Sequence, residues 1–500
     1  MNIKRAKQEI KDAIEAYLLK DEDGNYMIPT IRQRPIFLIG APGIGKTQIM
    51  EQISRECQIG LVSYTITHHT RQSAIGLPFI AKNTFGEKEY SVTEYTMSEI
   101  IASVYHCMEE TGLKEGVLFI DEINCVSETL APAMLQFLQC KTFGNHAVPE
   151  GWIIVAAGNP PEYNKSVREF DVVTLDRVKK IEVEPDFHVW KEYAYRQEIH
   201  PAIISYINTR VAHFYQMETT VDGMFFATPR GWEDLSRLIQ VYEKLGKTVD
   251  REVVLQYIQY PKIAKDFANY LELYYKYQAD YQIELVMSGK INEILLMKIR
   301  HASLDEKLSV VSLVLSKVLE GFRDAYKKEA CITMLFDVLK QLKVRLGEGK
   351  SVTLLLDEIL KETQKTYEYK VKAKILNKEE GNALRNTISK LEQYQRVLKL
   401  EGIVDNDVAF ERVRGLFAEE NSAYQEQVDL AGQKLEYGFD FMEIAFGNSQ
   451  EMVSFVTELN TNFYSVQFLQ NYECERYYQY NKNLLFDEKR KNILNRIEHL

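Results

Sequence analysis

No two of the six cysteines stand in a C-x-x-C pair. Cys57, Cys107, Cys125, Cys140, Cys331 and Cys474 are scattered. Neither a zinc site nor a disulfide framework is signalled, and reduced thiols are the plain reading. No apolar run approaches the roughly 18–20 residues that a membrane-spanning helix needs. The opening MNIKRAKQEIKDAIEAYLLKDEDG is charged throughout and lacks the apolar stretch of a signal peptide. These absences predict a soluble, cytoplasmic protein. Positive charge is also short: Lys+Arg 61 against Asp+Glu 72 leaves a net −11. That balance argues against a general nucleic-acid coat or an anionic-membrane binder. Proline is missing from the whole second half, since all 12 lie between Pro29 and Pro261, and glycine thins after Gly246. The helix breakers are therefore concentrated early, and the later chain is free to run as long helices.

What is present is a chain of 500 residues, 45% hydrophobic and 27% charged. That is enough for two or three well-packed domains and is not the composition of a disordered protein. Residues 1–28 read as a helix, with Ile10, Ile14, Tyr17 and Leu18 on one face. From Pro35 to about Glu184, short apolar runs alternate with helical segments: Ile36–Ile39, Leu61–Tyr64, Val117–Ile120, Ile153–Ala157 and Ile181–Val183. Several of these runs are uninterrupted, as strands buried on both faces of a parallel sheet would be, and their alternation with helices predicts a layered α/β domain. From Phe187 to about Pro261 the pattern turns helical, with Ile203, Ile207 and Val211 in step. Residues 262–500 are rich in Tyr, Leu, Lys and Glu, and Leu384, Ile388, Leu391 and Leu398 keep helical spacing. Gly347–Lys350 and Gly402–Asp407 read as helix connections.

The chemistry gathers at the ends of the apolar runs. Gly40-Ala41-Pro42-Gly43-Ile44-Gly45-Lys46-Thr47 is G-x-x-x-x-G-K-T, placed between a strand and a helix that opens with Gln48. Gly43 and Gly45 let the backbone curl so that successive N–H groups converge on phosphate oxygens. The helix N-terminus adds partial positive charge. Lys46 is placed to reach the β- and γ-phosphates, and the Thr47 hydroxyl to ligate Mg²⁺. Val117-Leu118-Phe119-Ile120-Asp121-Glu122 is a second buried strand, ending in two acids. Asp121 suits Mg²⁺ through water, and Glu122 suits the general base that polarises an attacking water. A third strand, Trp152 to Ala157, ends at Gly158-Asn159-Pro160. The Asn159 amide both donates and accepts, so it suits a water and a γ-phosphate together, although a turn-forming Asn before Pro is an ordinary alternative. Three arginines are candidates for stabilising transition-state charge: Arg177 in Leu175-Asp176-Arg177-Val178, its rival Arg168, and Arg230 in Thr228-Pro229-Arg230-Gly231-Trp232. Taken singly, an arginine in such a place is more often structural than catalytic. His68 and His69 have no neighbours that would complete a metal site.

Together these pieces resemble the AAA+ ATPases, and within them the MoxR-like and dynein-related group. GAPGIGKT (40–47) looks like Walker A and VLFIDE (117–122) like Walker B. Asn159 looks like sensor 1, Arg177 like the arginine finger and Arg230 like sensor 2. Val178 departs from the usual LDRF. The resemblance covers about residues 30–250. It implies an α/β P-loop core with a parallel sheet ordered 5-1-4-3-2, a helical lid, and ATP with Mg²⁺ bound at subunit junctions of a homo-oligomeric, hexameric ring. It also implies chaperone-like remodelling of a protein partner, often one with a von Willebrand factor A domain. The D-x-S-x-S motif of that domain is missing here, so such a partner would be a separate chain. On this reading residues 1–30 are an N-terminal helix, 31–186 the nucleotide-binding domain, 187–262 the lid, and 263–500 an all-α region that either docks the partner or fixes ring geometry. Two hairpin-like insertions are expected, one from His68–Ile80 through a turn-like Lys82–Glu87 to Tyr90–Thr93, and a shorter one at Phe143–His146. The first resembles the insert that faces the pore or substrate in this subgroup. Two rival functions are a nucleotide-gated scaffold with little turnover and a nucleic-acid-stimulated motor. No N-K-x-D string is present, which argues against GTP.

Overall fold

The computed structural model describes residues 1–68, 71–86, 88–163, 167, 170–221, 223–347, 349–482 and 484. The chain forms two compact units, one of residues 1–189 with 366–377, the other of residues 190–365 with 378–500.

In the first unit the elements run α1 (Ile3–Leu18), β1 (Ile36–Gly40), α2 (Lys46–Cys57), β2 (Gly60–Thr65), α3 (Arg71–Ile75), β3 (Pro78–Phe85), β4 (Lys88–Tyr95) and α4 (Glu99–Thr111). They continue as β5 (Gly116–Asp121), α5 (Ala131–Cys140), β6 (Thr142–Phe143), β7 (His146–Ala147), β8 (Trp152–Gly158), α6 (Val172–Leu175) and β9 (Lys179–Val183). Each of the five apolar runs named above lies in a strand, and among the described residues these five strands form one parallel sheet in the order β2-β5-β8-β1-β9. Counting only these five along the chain, the order is 5-1-4-3-2, as the resemblance implied. One face is packed by Phe37, Leu118, Ile120 and Ile154 against Ile100, Val104, Phe137 and Leu138. Burying each such side chain contributes roughly 1.5–3 kcal/mol. α2 buries Ile49, Met50 and Ile53, and α1 packs against it.

The N-terminal helix stops at Leu18 rather than running to residue 28. Asp21 ends it: its Oδ1 accepts from the Asp23 and Asn25 backbone N–H groups at 3.0 and 2.9 Å. That local bonding competes with helical bonding, as Asp at a turn commonly does. Both hairpins are present, β3 paired antiparallel with β4 and β6 with β7. The longer one exposes Phe79, Ile80, Phe85 and Tyr90.

α7 (Phe187–Arg196) leads into the second unit. There follow α8 (Pro201–Thr209), β10 (Gln216–Thr220), β11 (Gly223–Ala227), α9 (Pro229–Lys244), α10 (Arg251–Tyr257), α11 (Pro261–Asp280), α12 (Ile283–Val286) and α13 (Glu293–Arg300). α14 (Leu304–Leu346), α15 (Val352–Lys372, which from Thr366 onward belongs to the first unit), α16 (Lys378–Leu400), α17 (Asn406–Phe446), α18 (Gln450–Thr461) and α19 (Phe463–Asn471) complete it. The β10–β11 hairpin breaks the helical pattern expected from Phe187 to Pro261. β-branched Thr219 and Thr220 precede a Gly223 held at φ +129°, so turn chemistry overrode the apolar spacing. Freedom from proline shows in the 43-residue α14 and the 41-residue α17, which pack on each other. A buried ion pair, Lys191 with Glu458, is reinforced by the Tyr195 hydroxyl donating to Glu458 Oε2 at 2.7 Å.

In the first unit Lys141 is buried after α5, its Nζ donating to the Thr30 carbonyl at 2.6 Å. Burial pulls its pKa down from 10.5 to about 8. Below pH 8 both folded and unfolded states carry the proton, and the folded state bears the full cost of an ammonium held away from water. Between pH 8 and 10.5 only the unfolded state keeps the proton, so this contribution to stability rises with pH. Lys141→Met is therefore expected to raise the urea midpoint at pH 7, with the advantage over the parent shrinking by pH 9.5. A mutant-minus-parent difference that stays flat with pH contradicts the assignment.

Candidate functional site

The site is built where three neighbouring strands end. β1 runs apolar to Gly40 because it is covered on both faces. The chain then curls through Gly43 and Gly45, at φ +78° and +94°, conformations that cost a side-chain-bearing residue. Gly45 opens α2 as its N-cap, and the partial positive charge of that helix end adds to what the loop offers a phosphate. Lys46 is buried, and its ammonium donates to the Gly40 and Ala41 carbonyls at 2.7 and 3.0 Å and to Asn159 Oδ1 at 2.9 Å. Thr47 Oγ1 donates to Asp121 Oδ2 at 2.9 Å.

The acid pair is separated by a sharp backbone turn. Glu122 sits at φ +58°, the left-handed region, where a residue with a Cβ is strained by roughly 1–2 kcal/mol. Its own amide donates to Asp121 Oδ1 at 2.9 Å, while its carboxylate accepts from Thr67 Oγ1 at 3.1 Å. The turn thus sends the two carboxylates to different partners. Burial first, and then the charges of Glu122 and Asp121, push the nearby Cys125 thiol above its ordinary range, so it is not a thiolate nucleophile.

Asn159 is held from behind. Asn124 Nδ2 donates to the Asn159 carbonyl at 2.7 Å, and the Asn159 amide donates to Asn124 Oδ1 at 3.3 Å. Gly158 makes room for this exchange, because a Cβ there would stand 2.5 Å from Asn124 Oδ1. A cavity of about 480 Å³ opens beside the cluster, lined by Gly40, Ala41, Asn159, Tyr163 and Val183 among others.

Lys46, Thr47, Asp121 and Asn159 are thus joined directly, and Glu122 through Asp121. Arg177 is exposed and donates through Nη1 to Gln139 at the end of α5, while Glu182 pairs with Lys180 instead. Arg168 lies outside the described residues, as does His69. Arg230 belongs to the second unit, exposed in the first turn of α9, which Thr228 caps by accepting from the Gly231 amide at 3.2 Å. Thr67 and Asn124 escaped the sequence reading. The faint signals were an Asn two residues beyond Glu122 and a glycine immediately before Asn159.

The residues fit a nucleoside triphosphate with its divalent cation. The loop offers amides and a lysine to phosphate, and Thr47 with Asp121 is a hard-oxygen pair of the kind magnesium takes. A parallel sheet with this loop at one strand end and an acid at the end of another defines a P-loop nucleotide-binding protein. Residues 35–178 match the AAA domain of the dynein-related subfamily, and this part of the chain is such a domain. No curated protein matches the chain.

If Asn124 positions Asn159, Asn124→Ala leaves part-buried backbone groups of Asn159 unpaired and costs roughly 1–3 kcal/mol in urea unfolding. Gly158→Ala, which would strike the Asn124 amide, is expected to cost at least as much. Two variants as stable as the parent would remove Asn124 from the site.

Proposed function

We propose that the chain is an ATPase whose turnover drives rearrangement of a protein partner, and that it works as a cytoplasmic homo-oligomeric ring. The reading rests above all on the bonded set that joins Lys46 to Asn159 and Thr47 to Asp121 at the phosphate loop. With ATP bound, Lys46 exchanges its bonds to the Gly40 and Ala41 carbonyls for β- and γ-phosphate oxygens. Thr47 and Asp121 hold magnesium, the acid through water, which supplies charge neutralisation of the phosphates. Glu122 takes a proton from a water as that water's oxygen attacks the γ-phosphorus and the bond to the β-phosphate oxygen breaks. Asn159 orients the water. In this scheme Thr67 restrains Glu122 until nucleotide is seated.

Arg177 acts on a neighbouring subunit's γ-phosphate, an assignment favoured by its exposed place just before β9. Arg230 reports nucleotide state to the lid. The exposed aromatic hairpin of β3 and β4 is the surface offered to the partner, which the MoxR-like resemblance suggests is a separate von Willebrand factor A-type protein. The alternative of a nucleotide-gated scaffold differs in one measurable respect, turnover.

Glu122→Gln is expected to keep ATP binding and lower steady-state phosphate release by roughly 10²–10⁴-fold. Lys46→Ala should lose nucleotide binding in calorimetry. A parent protein that binds ATP but releases no phosphate, with or without partner, is a scaffold.

The ring has its own test. Lys46→Ala and Arg177→Ala subunits, each inactive alone, are expected to regain part of the activity when mixed, since one retains the site and the other the finger. Monomeric mass with ATP in the Glu122→Gln background, and no recovery on mixing, would defeat the shared site.

A further inference from the structure

The second unit contains a cavity of about 280 Å³ that the nucleotide reading does not use. One part of its wall is apolar, formed by Ile204 of α8 and by Val311, Leu315 and Leu319 of α14. The remainder is polar and includes Tyr195, Ser316, Ser454, Glu458 and Arg323. Two of these groups are already committed, since Glu458 takes its bonds from Lys191 and the Tyr195 hydroxyl.

Arg323 is different. Its Nε is buried and has no hydrogen-bond partner among the described residues. Its nearest carboxylates are too far for a bond, Glu198 Oε2 at 3.6 Å from Nη1 and Asp324 Oδ1 at 3.9 Å from Nε. A guanidinium stays charged at any ordinary pH, and leaving one of its buried donors unmade is costly. Three glutamates line the cavity, Glu198, Glu320 and Glu458, and two of them meet a lysine of their own, Lys317 for Glu320 and Lys191 for Glu458. Lys327 Nζ stands 3.1 Å from Glu198 and Lys378 Nζ 3.9 Å, so with Arg323 three cations share one carboxylate. Burial alone would raise the Glu198 carboxyl; the hydrogen bond from Lys327 and the charges of these three cations more than offset it and hold it below its ordinary range.

We propose that this cavity is a binding site for a small organic carboxylate, whose acid group accepts from the Arg323 guanidinium and whose alkyl body lies on Ile204, Val311, Leu315 and Leu319. The inference stands apart from the ATPase reading, because every residue in it belongs to the second unit.

The test is calorimetry on the full chain with matched six-carbon probes: hexanoate, hexan-1-ol and hexylamine. Hexanoate is expected to bind saturably at one site, about 10-fold or more tighter than the alcohol, as one charge-assisted hydrogen bond implies. Hexylamine should not bind. Arg323→Gln is expected to remove the preference for hexanoate over hexan-1-ol. That change also takes a cation from Glu198, so a second variant leaves the charges alone: Ser316→Phe should fill the cavity and abolish binding of hexanoate with an unchanged circular dichroism spectrum. Equal affinity for acid and alcohol, no saturable uptake of hexanoate, or unaltered binding in both folded variants would each overturn the proposal.

Discussion

A buried ammonium is tolerable only if its donors are met, and Lys46 shows how that requirement shapes the first unit. Two of its acceptors are carbonyls of its own loop and a third is the amide of Asn159 at the end of a different strand. The bond to Asn159 is possible because β8 lies directly beside β1 in the sheet. The same order puts β5 on the other side of β8, and Thr47 reaches Asp121 at its end. Were β5 and β8 exchanged in the order, the lysine would face the acid and the threonine the amide. The chemistry would then be paired the wrong way.

Around that cluster the structure holds its reactive groups by neighbours rather than by charge alone. Asn124 and Gly158 fix the backbone of Asn159, so its side chain is free to turn between Lys46 and a substrate. Glu122 is held by a strained turn on one side and a threonine hydroxyl on the other. A hydroxyl is a weak holder compared with an ion pair, which suits a base that must be released to meet a water. Backbone strain in such a position is consistent with a residue whose place is set by function rather than by local preference.

The second unit follows different rules. It has helices of more than forty residues, and its polar interior is organised around buried charges. Lys191 and Glu458 satisfy one another, whereas Arg323 is left with a donor in hand. The contrast between the two groups, in one cavity wall, is the physical reason to look for a ligand at Arg323 and to read the Lys191–Glu458 pair as structural.

By itself the sequence determined the strands of the sheet, because short apolar runs that alternate with helical segments suit strands covered on both faces of a parallel sheet. It also marked the phosphate loop, since glycines at 43 and 45 before Lys46-Thr47 are dictated by backbone geometry and phosphate chemistry. It overextended the first helix, where a single Asp21 side chain outbid the pattern, and it missed the β10–β11 hairpin, where a glycine turn did the same. Thr67, Asn124 and Arg323 were beyond its reach. Their meaning lies in what stands a few ångströms away, on segments 55, 35 and 125 positions distant in the chain for Glu122, Asn159 and Glu198. Spacing along a chain records local preference. Which hydroxyl meets which acid, and which buried donor goes without a partner, is decided only when the strands and helices are packed.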